Sequence, residues 1–386
     1  MISELRNMVR LLQSLQRKNL STWVRLLVAW ATVAAFTLAG SAWVSDLSSI
    51  TKGFILFFWI FAVILWCSFG VVREADELAE MLGEPYGTLI LTLSIVLIEV
   101  ILISAVMLEA KAAPTIGRDA MLSVMMIIMN GIVGLSLVIG GLRYREQPYN
   151  KQGASTYLGI IVPLTVIALI LPSFITSTGD GTFTPVQAIS FSVLTIILYA
   201  VFLTLQTGQY RYFFIYPPET RSLQGKGRHP AAKANRPAVI RGTILIVLYM
   251  LPIVLLSKYL AIFIDLGIAS LGAPATVGGF VIALIVFTPE SITAVKAAWN
   301  DELQRTINLC LGAFVSTIGL TVPAILAIGL VTEQRVVLGV TPLDAVMIAT
   351  TLLLSIVTFS APKTNMLSGC FHLLLFFVFT LLMFNL

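Results

Sequence analysis

Charge is scarce in this sequence. Asp, Glu, Lys and Arg make up 11% of its 386 residues, against roughly 25% in an ordinary soluble domain. So few polar side chains cannot cover the surface of a soluble chain, and 58% of the residues are apolar, so the excess must face lipid. Histidine occurs twice and cysteine three times. Cys67, Cys310 and Cys370 are scattered through apolar runs, form no C-x-x-C, and read as small buried hydrophobes. H-E-x-x-H, D-D-x-x-D and G-x-S-x-G are missing, and Gly179-Asp180-Gly181 falls in a loop, which argues against an intramembrane hydrolase. G-x-x-x-x-G-K-[ST] is missing as well, which argues against ATP-driven pumping. The N-terminus reads as basic and amphipathic (Arg6, Arg10, Arg17, Lys18), without the small-residue cleavage site of a signal peptide.

What is present is a series of apolar runs, each near the roughly 20 residues that cross a bilayer core. Candidate spans lie near 23–44, 53–72, 87–108, 120–141, 157–176, 186–206, 242–262, 276–298, 306–330, 342–360 and 366–385. The expected fold is therefore an all-α polytopic membrane protein of about eleven helices, whose short loops leave no room for a soluble catalytic domain. With the N-terminus inside, 19 of the 24 Lys and Arg residues fall in cytoplasmic segments and 5 outside. This is the bias expected for a cytoplasmic N-terminus and an external C-terminus. The net charge of +5 thus finds its explanation in topology, and no nucleic-acid partner is expected.

The longest hydrophilic stretch, Tyr210 to Arg241, is rich in Pro and Gly and reads as a flexible linker. It divides the chain into a basic segment with an extra leading helix (1–52), a first repeat (53–206), a basic cytoplasmic linker (207–241) and a second repeat (242–386). Each repeat holds five spans, and an odd number makes the second enter the membrane from the opposite side. That is the inverted-repeat plan of many secondary transporters, with the ion site at the midplane.

The second span of each repeat carries one deep acidic residue, Glu99 in TLILTLSIVLIEVILIS and Glu290 in VGGFVIALIVFTPESITAV. Glu99 lies roughly 18 Å along the helix from Gly87, at 1.5 Å per residue. An ionised carboxylate in mid-bilayer costs several kcal/mol or more unless it is paired or hydrated. Either a proton or a metal cation removes that cost, and a site that holds one at a time is an exchange site. Hydroxyls suited to a hard cation flank both glutamates. Ser94 and Ser104, with Thr92, lie near Glu99; Thr288 and Ser291, with Thr293, lie near Glu290. Pro289 lacks an N–H and frees the Ile285 carbonyl from its helical partner, which makes either a ligand or a tolerated kink. The third spans carry Asn130, Gly131, Gly134 and Ser136, and Asn308, Gly312, Ser316 and Gly319. Close helix packing explains the small residues, and Asn130 and Ser316 could complete the ion's ligand shell. His372 reads as a packed polar residue, and His229 falls in the linker. Glu74, Asp76, Glu77, Glu80 and Glu84 read as a solvated helical face that could also concentrate cations.

At GEPYGTLILTLSIVLIEV (83–100) and FTPESITAVKAAWNDELQRTINLCLGAFVSTIGLTVPA (287–324), the chain resembles the ChaA-type calcium/proton antiporters of the cation/proton exchanger (CAX) family. The resemblance implies eleven helices with ions bound between two repeats. It also implies that Glu99 and Glu290 take the place of the acidic residues of the family's two α-repeat motifs. Two features depart from the family pattern. Val96-Leu97-Ile98 and Thr288-Pro289 stand where the wider family has Gly-Asn, and the linker is basic (Arg221, Lys226, Arg228, Lys233, Arg236) where relatives carry an acidic segment. The expected function is a secondary antiporter of the plasma (bacterial inner) membrane that exports Ca2+ in exchange for H+ and needs no cofactor. Its alternative is Na+ or K+/H+ exchange on the same scaffold.

Overall fold

The structure is a computed structural model and describes residues 2–45, 50–82, 86–108, 114–215 and 236–385. The central part of the linker, with Arg221, Lys226, His229 and Lys233, lies outside the described residues, as does Glu84. Eleven apolar helices are described, nine of them long enough to cross a membrane and two shorter. They are α1 (Ile2–Ser45), α2 (Ile50–Leu82), α3 (Tyr86–Met107), α4 (Ile116–Tyr144), α5 (Lys151–Phe174) and α6 (Pro185–Thr207). After the linker come α7 (Arg236–Leu271), α8 (Thr276–Trp299), α9 (Leu303–Thr332), α10 (Pro342–Thr358) and α11 (Met366–Asn385).

Each expected span falls on one helix, and several helices run past their span. α2 continues ten residues beyond 72 because READELAEML is rich in strong helix formers. Sharp starts come from capping. Asn150 accepts from the backbone N–H groups of Gln152 and Gly153 at the start of α5. Thr184 and Thr341 form capping boxes with Gln187 and Asp344, each followed by Pro at the first helical position, and so fix the starts of α6 and α10.

The two sets of five helices pack alike. α4 and α9, the third of each set, are buried over most of their length, whereas α6 and α11, the fifth, are largely exposed. α2 and α7, the first of each, run along one another, and α1 lies against both. Large exposed apolar side chains such as Leu38, Phe58, Val186, Leu194 and Phe377 form the outer surface that lipid covers. The loops pair in the same inverted sense. The α4–α5 loop strand Glu146–Pro148 pairs antiparallel with Lys363–Asn365 between α10 and α11. At the other end of α5, Leu338 and Gly339 of the α9–α10 loop donate to the Gly181 carbonyl at 3.1 and 2.8 Å, and Arg335 pairs with Asp180 at 2.5 Å. These two loop sets fall on opposite faces under the alternation of eleven spans.

Two crossings depend on glycine. A Cβ on Gly279 of α8 would lie 2.5 Å from the backbone nitrogen of Ala120 on α4, and one on Gly369 of α11 would lie 2.7 Å from the Gly134 carbonyl of α4. Gly159 faces open space. Gly279→Leu should therefore destabilise the fold by about 1–3 kcal/mol through overpacking at the α4–α8 crossing. Gly159→Ala should leave the melting temperature in detergent unchanged, and equal melting of the two variants would refute this account of the crossing.

Candidate functional site

α3 and α8 place Glu99 and Glu290 in the interior, 1% and 7% exposed. The α8 helix runs unbroken through Pro289. Opposite Glu99, α9 carries a π-helical segment, Thr317–Thr321, and α4 carries its counterpart, Met126–Ile132. Such insertions re-aim side chains and recur at functional sites. The Thr317 and Thr321 hydroxyls, four residues apart on one face of α9, both donate to Glu99 Oε2 at 2.9 Å. Glu99 Oε1 and both carboxylate oxygens of Glu290 are buried with no hydrogen-bond partner. The two glutamates lie close enough to act on each other electrostatically, and Asp76 and Cys310 are also within that reach of Glu290. Mutual repulsion disfavours having both ionised at once without a cation between them.

Glu290 forms part of the wall of a cavity of about 270 Å³. Thr92, Tyr157, Tyr199, Gln206, Asn308 and Ser316 contribute to the same wall, and Arg211 and Arg305 stand at the linker side. The Gln206 amide donates to the Tyr157 hydroxyl at 2.6 Å, and Gly312 leaves the room that Tyr157 occupies. Asn308 ties α9 to the segment after α6 by donating to the Phe214 carbonyl at 2.7 Å. A second cavity, of about 200 Å³, lies at the opposite face between α4, α10 and α11, with Asp119, Ser123, Thr341 and Asp344 in its wall.

The expected supporting side chains divide. Ser316 shares the cavity with Glu290, although its hydroxyl donates to the Ala313 carbonyl at 2.7 Å. Thr288 and Ser291 donate to Leu284 and Phe287 carbonyls of their own helix, at 2.5 and 2.6 Å, and Ser104 donates to the Val100 carbonyl. Ser94 is buried on α3. Asn130 is bonded to α10 and α11. Its amide donates to Thr351 of α10 at 2.7 Å, and its Oδ1 faces His372 of α11 at 3.0 Å, while His372 reaches Thr358 at 3.1 Å. Glu74, expected on a solvated face, is buried and paired with Arg73 at 2.5 Å where α2 packs against α1 and α7. Thr317 and Thr321 were not among the expected residues. The signal for them was a threonine pair at helical spacing opposite a buried carboxylate.

Eleven apolar helices, with a buried glutamate on α3 and another on α8 beside a cavity, have the build of a polytopic membrane protein. The chain belongs to the sodium/calcium exchanger protein family, which matches residues 52–208 and 241–385. It is a transporter and not an enzyme. It is 35% identical to the sodium-potassium/proton antiporter ChaA of Escherichia coli (strain K12), over 83% of this chain and 86% of that one. It is 22% identical to a Ca(2+)/H(+) antiporter of Aphanothece halophytica, over 66% of this chain and 70% of that one. Among solved structures, it shares its fold with native YfkE (TM-score 0.71, 16% identity, 94% of this chain and 100% of that one). It shares it also with the H+/Ca2+ exchanger CAX (TM-score 0.64, 15% identity, 93% of this chain and 88% of that one).

Replacing Thr317 and Thr321 together by valine keeps their shape and removes both donors to Glu99. Hydrogen bonds to a charged group contribute about 1.5–3 kcal/mol, so cation exchange in everted vesicles should fall by roughly tenfold or more while the protein still inserts. Wild-type exchange by the double variant would show that the hydroxyls are packing alone.

Proposed function

We propose that this protein exchanges a metal cation for protons across the bacterial inner membrane, with Glu99 and Glu290 as the shared site and Ca2+ as the cargo. The observation that carries the reading is the pair of unpartnered Glu290 carboxylate oxygens in the wall of the linker-side cavity. A buried acid with no donor is stable once it holds a proton or a cation, and the cavity gives either one a path to it. The argument for a divalent ion is charge. One Ca2+ neutralises two carboxylates, as two protons do, so both loaded forms cross the hydrocarbon without net charge. Glu99, held by two hydroxyls, keeps one oxygen for a cation, and hard cations take such carboxylate and hydroxyl oxygens. Among the described residues no three His, Cys, Asp or Glu side chains come together, so hydroxyls, carbonyls or water would supply the remaining ligands. Ser94, Ser104, Thr288, Ser291 and Ser316 are available as lone-pair donors from the adjoining turns, and Asn130 would need to leave Thr351 and His372 to join them.

Sodium or potassium is the second reading, favoured by the name of the 35%-identical Escherichia coli relative. Everted vesicles energised by respiration and challenged separately with Ca2+, Na+ and K+ decide between the two. Ca2+ should dissipate the pH gradient at the lowest concentration, and a response to Na+ or K+ alone would overturn the calcium assignment. Glu99→Gln and Glu290→Gln keep size and hydrogen-bonding capacity but lose charge and the exchangeable proton. Each should abolish coupled exchange with little change in protein level. Lowering the pH should raise the apparent cation constant of the wild type, as competition for one pair of carboxylates requires. Robust exchange by the double glutamine variant would sink the site.

The same reading places the N-terminus and residues 207–241 in the cytoplasm and the C-terminus outside, with 53–206 and 242–386 as the two repeats and the linker as a passive tether. Single cysteines in place of Glu146 and Gly179, in a background lacking the native three, test it. The impermeant reagent applied to intact cells should label position 179 and spare position 146, and the reverse pattern would invert the orientation.

A further inference from the structure

α1, α2 and α7 bring two guanidinium groups together outside the glutamate site. Arg73 of α2 donates to the Thr22 hydroxyl of α1 at 2.6 Å and pairs with Glu74 at 2.5 Å. Arg25, one turn along α1, lies over the ring of Trp66 at 5.7 Å and over that of Tyr249 at 5.9 Å. Tyr249 donates its hydroxyl to the Thr22 carbonyl at 3.2 Å, and its ring fills the space left by Gly70, where a Cβ would come within 2.8 Å. The two arginines face each other closely enough to repel; Glu74 acts on both and Glu77 on Arg73. Arg25 Nε and Nη1 and Arg73 Nε are nevertheless buried with no hydrogen-bond partner.

Buried guanidinium donors without acceptors are costly, the more so at the edge of hydrocarbon. Their planar fork matches the oxygens of a phosphate group. Arg25 lies four residues inside the apolar span Ser21–Val44, or about 6 Å from its start at the helical rise. Trp66, on which Arg25 stacks, is 39% exposed, and Trp23 is 61% exposed on the same end of α1. Tryptophans of this kind mark the membrane–water interface. Arg25 as a whole is half-buried and the Arg73 side chain is 26% exposed, so the pair borders the surface that lipid covers.

We propose that Arg25 and Arg73 bind the phosphate of an anionic phospholipid seated between α1 and α2. The phosphate oxygens accept from Arg25 Nε and Nη1 and from Arg73 Nε, while Glu74 and Thr22 keep the remainder of Arg73. The orientation proposed above puts this site in the cytoplasmic leaflet, where anionic lipids concentrate. α1 has no counterpart in either set of five helices and packs on the first helix of each. A lipid held at this point fastens the extra helix to both.

The test is native mass spectrometry of the purified full-length protein, titrated with phosphatidylglycerol or with phosphatidylcholine of the same acyl chains. One phosphatidylglycerol should be retained about tenfold more tightly than phosphatidylcholine, and Arg25→Gln, which removes both Arg25 donors to the phosphate, should lose about tenfold or more. Arg25→Lys, which keeps the charge and loses the fork, should fall between them, and it carries the test if the glutamine variant does not fold. Equal retention of the two lipids by the wild type, or unchanged retention by both Arg25 variants, overturns the proposal. Inorganic phosphate forms a separate arm: displacement of the lipid by millimolar phosphate would reassign the site to a soluble anion and overturn the lipid assignment. Binding is read without transport, so this result stands apart from the fate of the glutamate site.

Discussion

A carboxylate in a dry interior must be neutralised, and the architecture is arranged around that demand at Glu99 and Glu290. Glu99 has a partial answer of its own, since two α9 hydroxyls converge on one of its oxygens. Glu290 has none, since both its oxygens are buried without a donor. The two lie within electrostatic reach of one another, so ionising both at once is disfavoured. On the proposed reading this constraint is the exchange mechanism itself, because the same pair of negative charges cannot be compensated twice.

The rest of the fold holds these two helices at a fixed crossing. α3 and α8 bear the acids, and α4 and α9, the most buried helices, carry the opposing surfaces. Both buried helices are interrupted by a π-helical segment at matching places. The segment in α9 aims Thr317 and Thr321 at Glu99. The one in α4 aims Asn130 outward at α10 and α11, where it joins Thr351 and His372 in a buried polar chain that pins the second half to the first. Equivalent backbone irregularities thus serve different ends. An inverted repeat permits this, since two copies share a framework without sharing every side chain.

The number of helices, their order and the burial of Glu99 and Glu290 were legible in the sequence because each rests on a local signal: a run of about 20 apolar residues, or an acid within one. The helix ends were less so. α2 outruns its apolar segment on helix-forming residues that are not hydrophobic, and α6 and α10 begin at threonine caps that hydropathy does not register. The ligand shell was least legible. Ser104, Thr288 and Ser291 are near their glutamates in sequence, yet a serine or threonine in an apolar helix donates to the carbonyl one turn back. Thr317 and Thr321 lie 218 and 222 residues from Glu99, and the insertion that turns them inward has no mark in composition.

The two cavities give this asymmetry a direction. On the linker side the wall is built from α3, α5, α6, α8 and α9 and includes Glu290. On the opposite face the wall comes from α4, the start of α8, α10 and α11, the counterparts of α9, α3, α5 and α6, and it includes neither glutamate. A repeat-related exchange of these two arrangements would carry Glu99 into the wall of the second cavity and withdraw Glu290 from the first. The hydroxyls on Glu99 would then have to be released as that helix moves, whereas Glu290 has no bond to break.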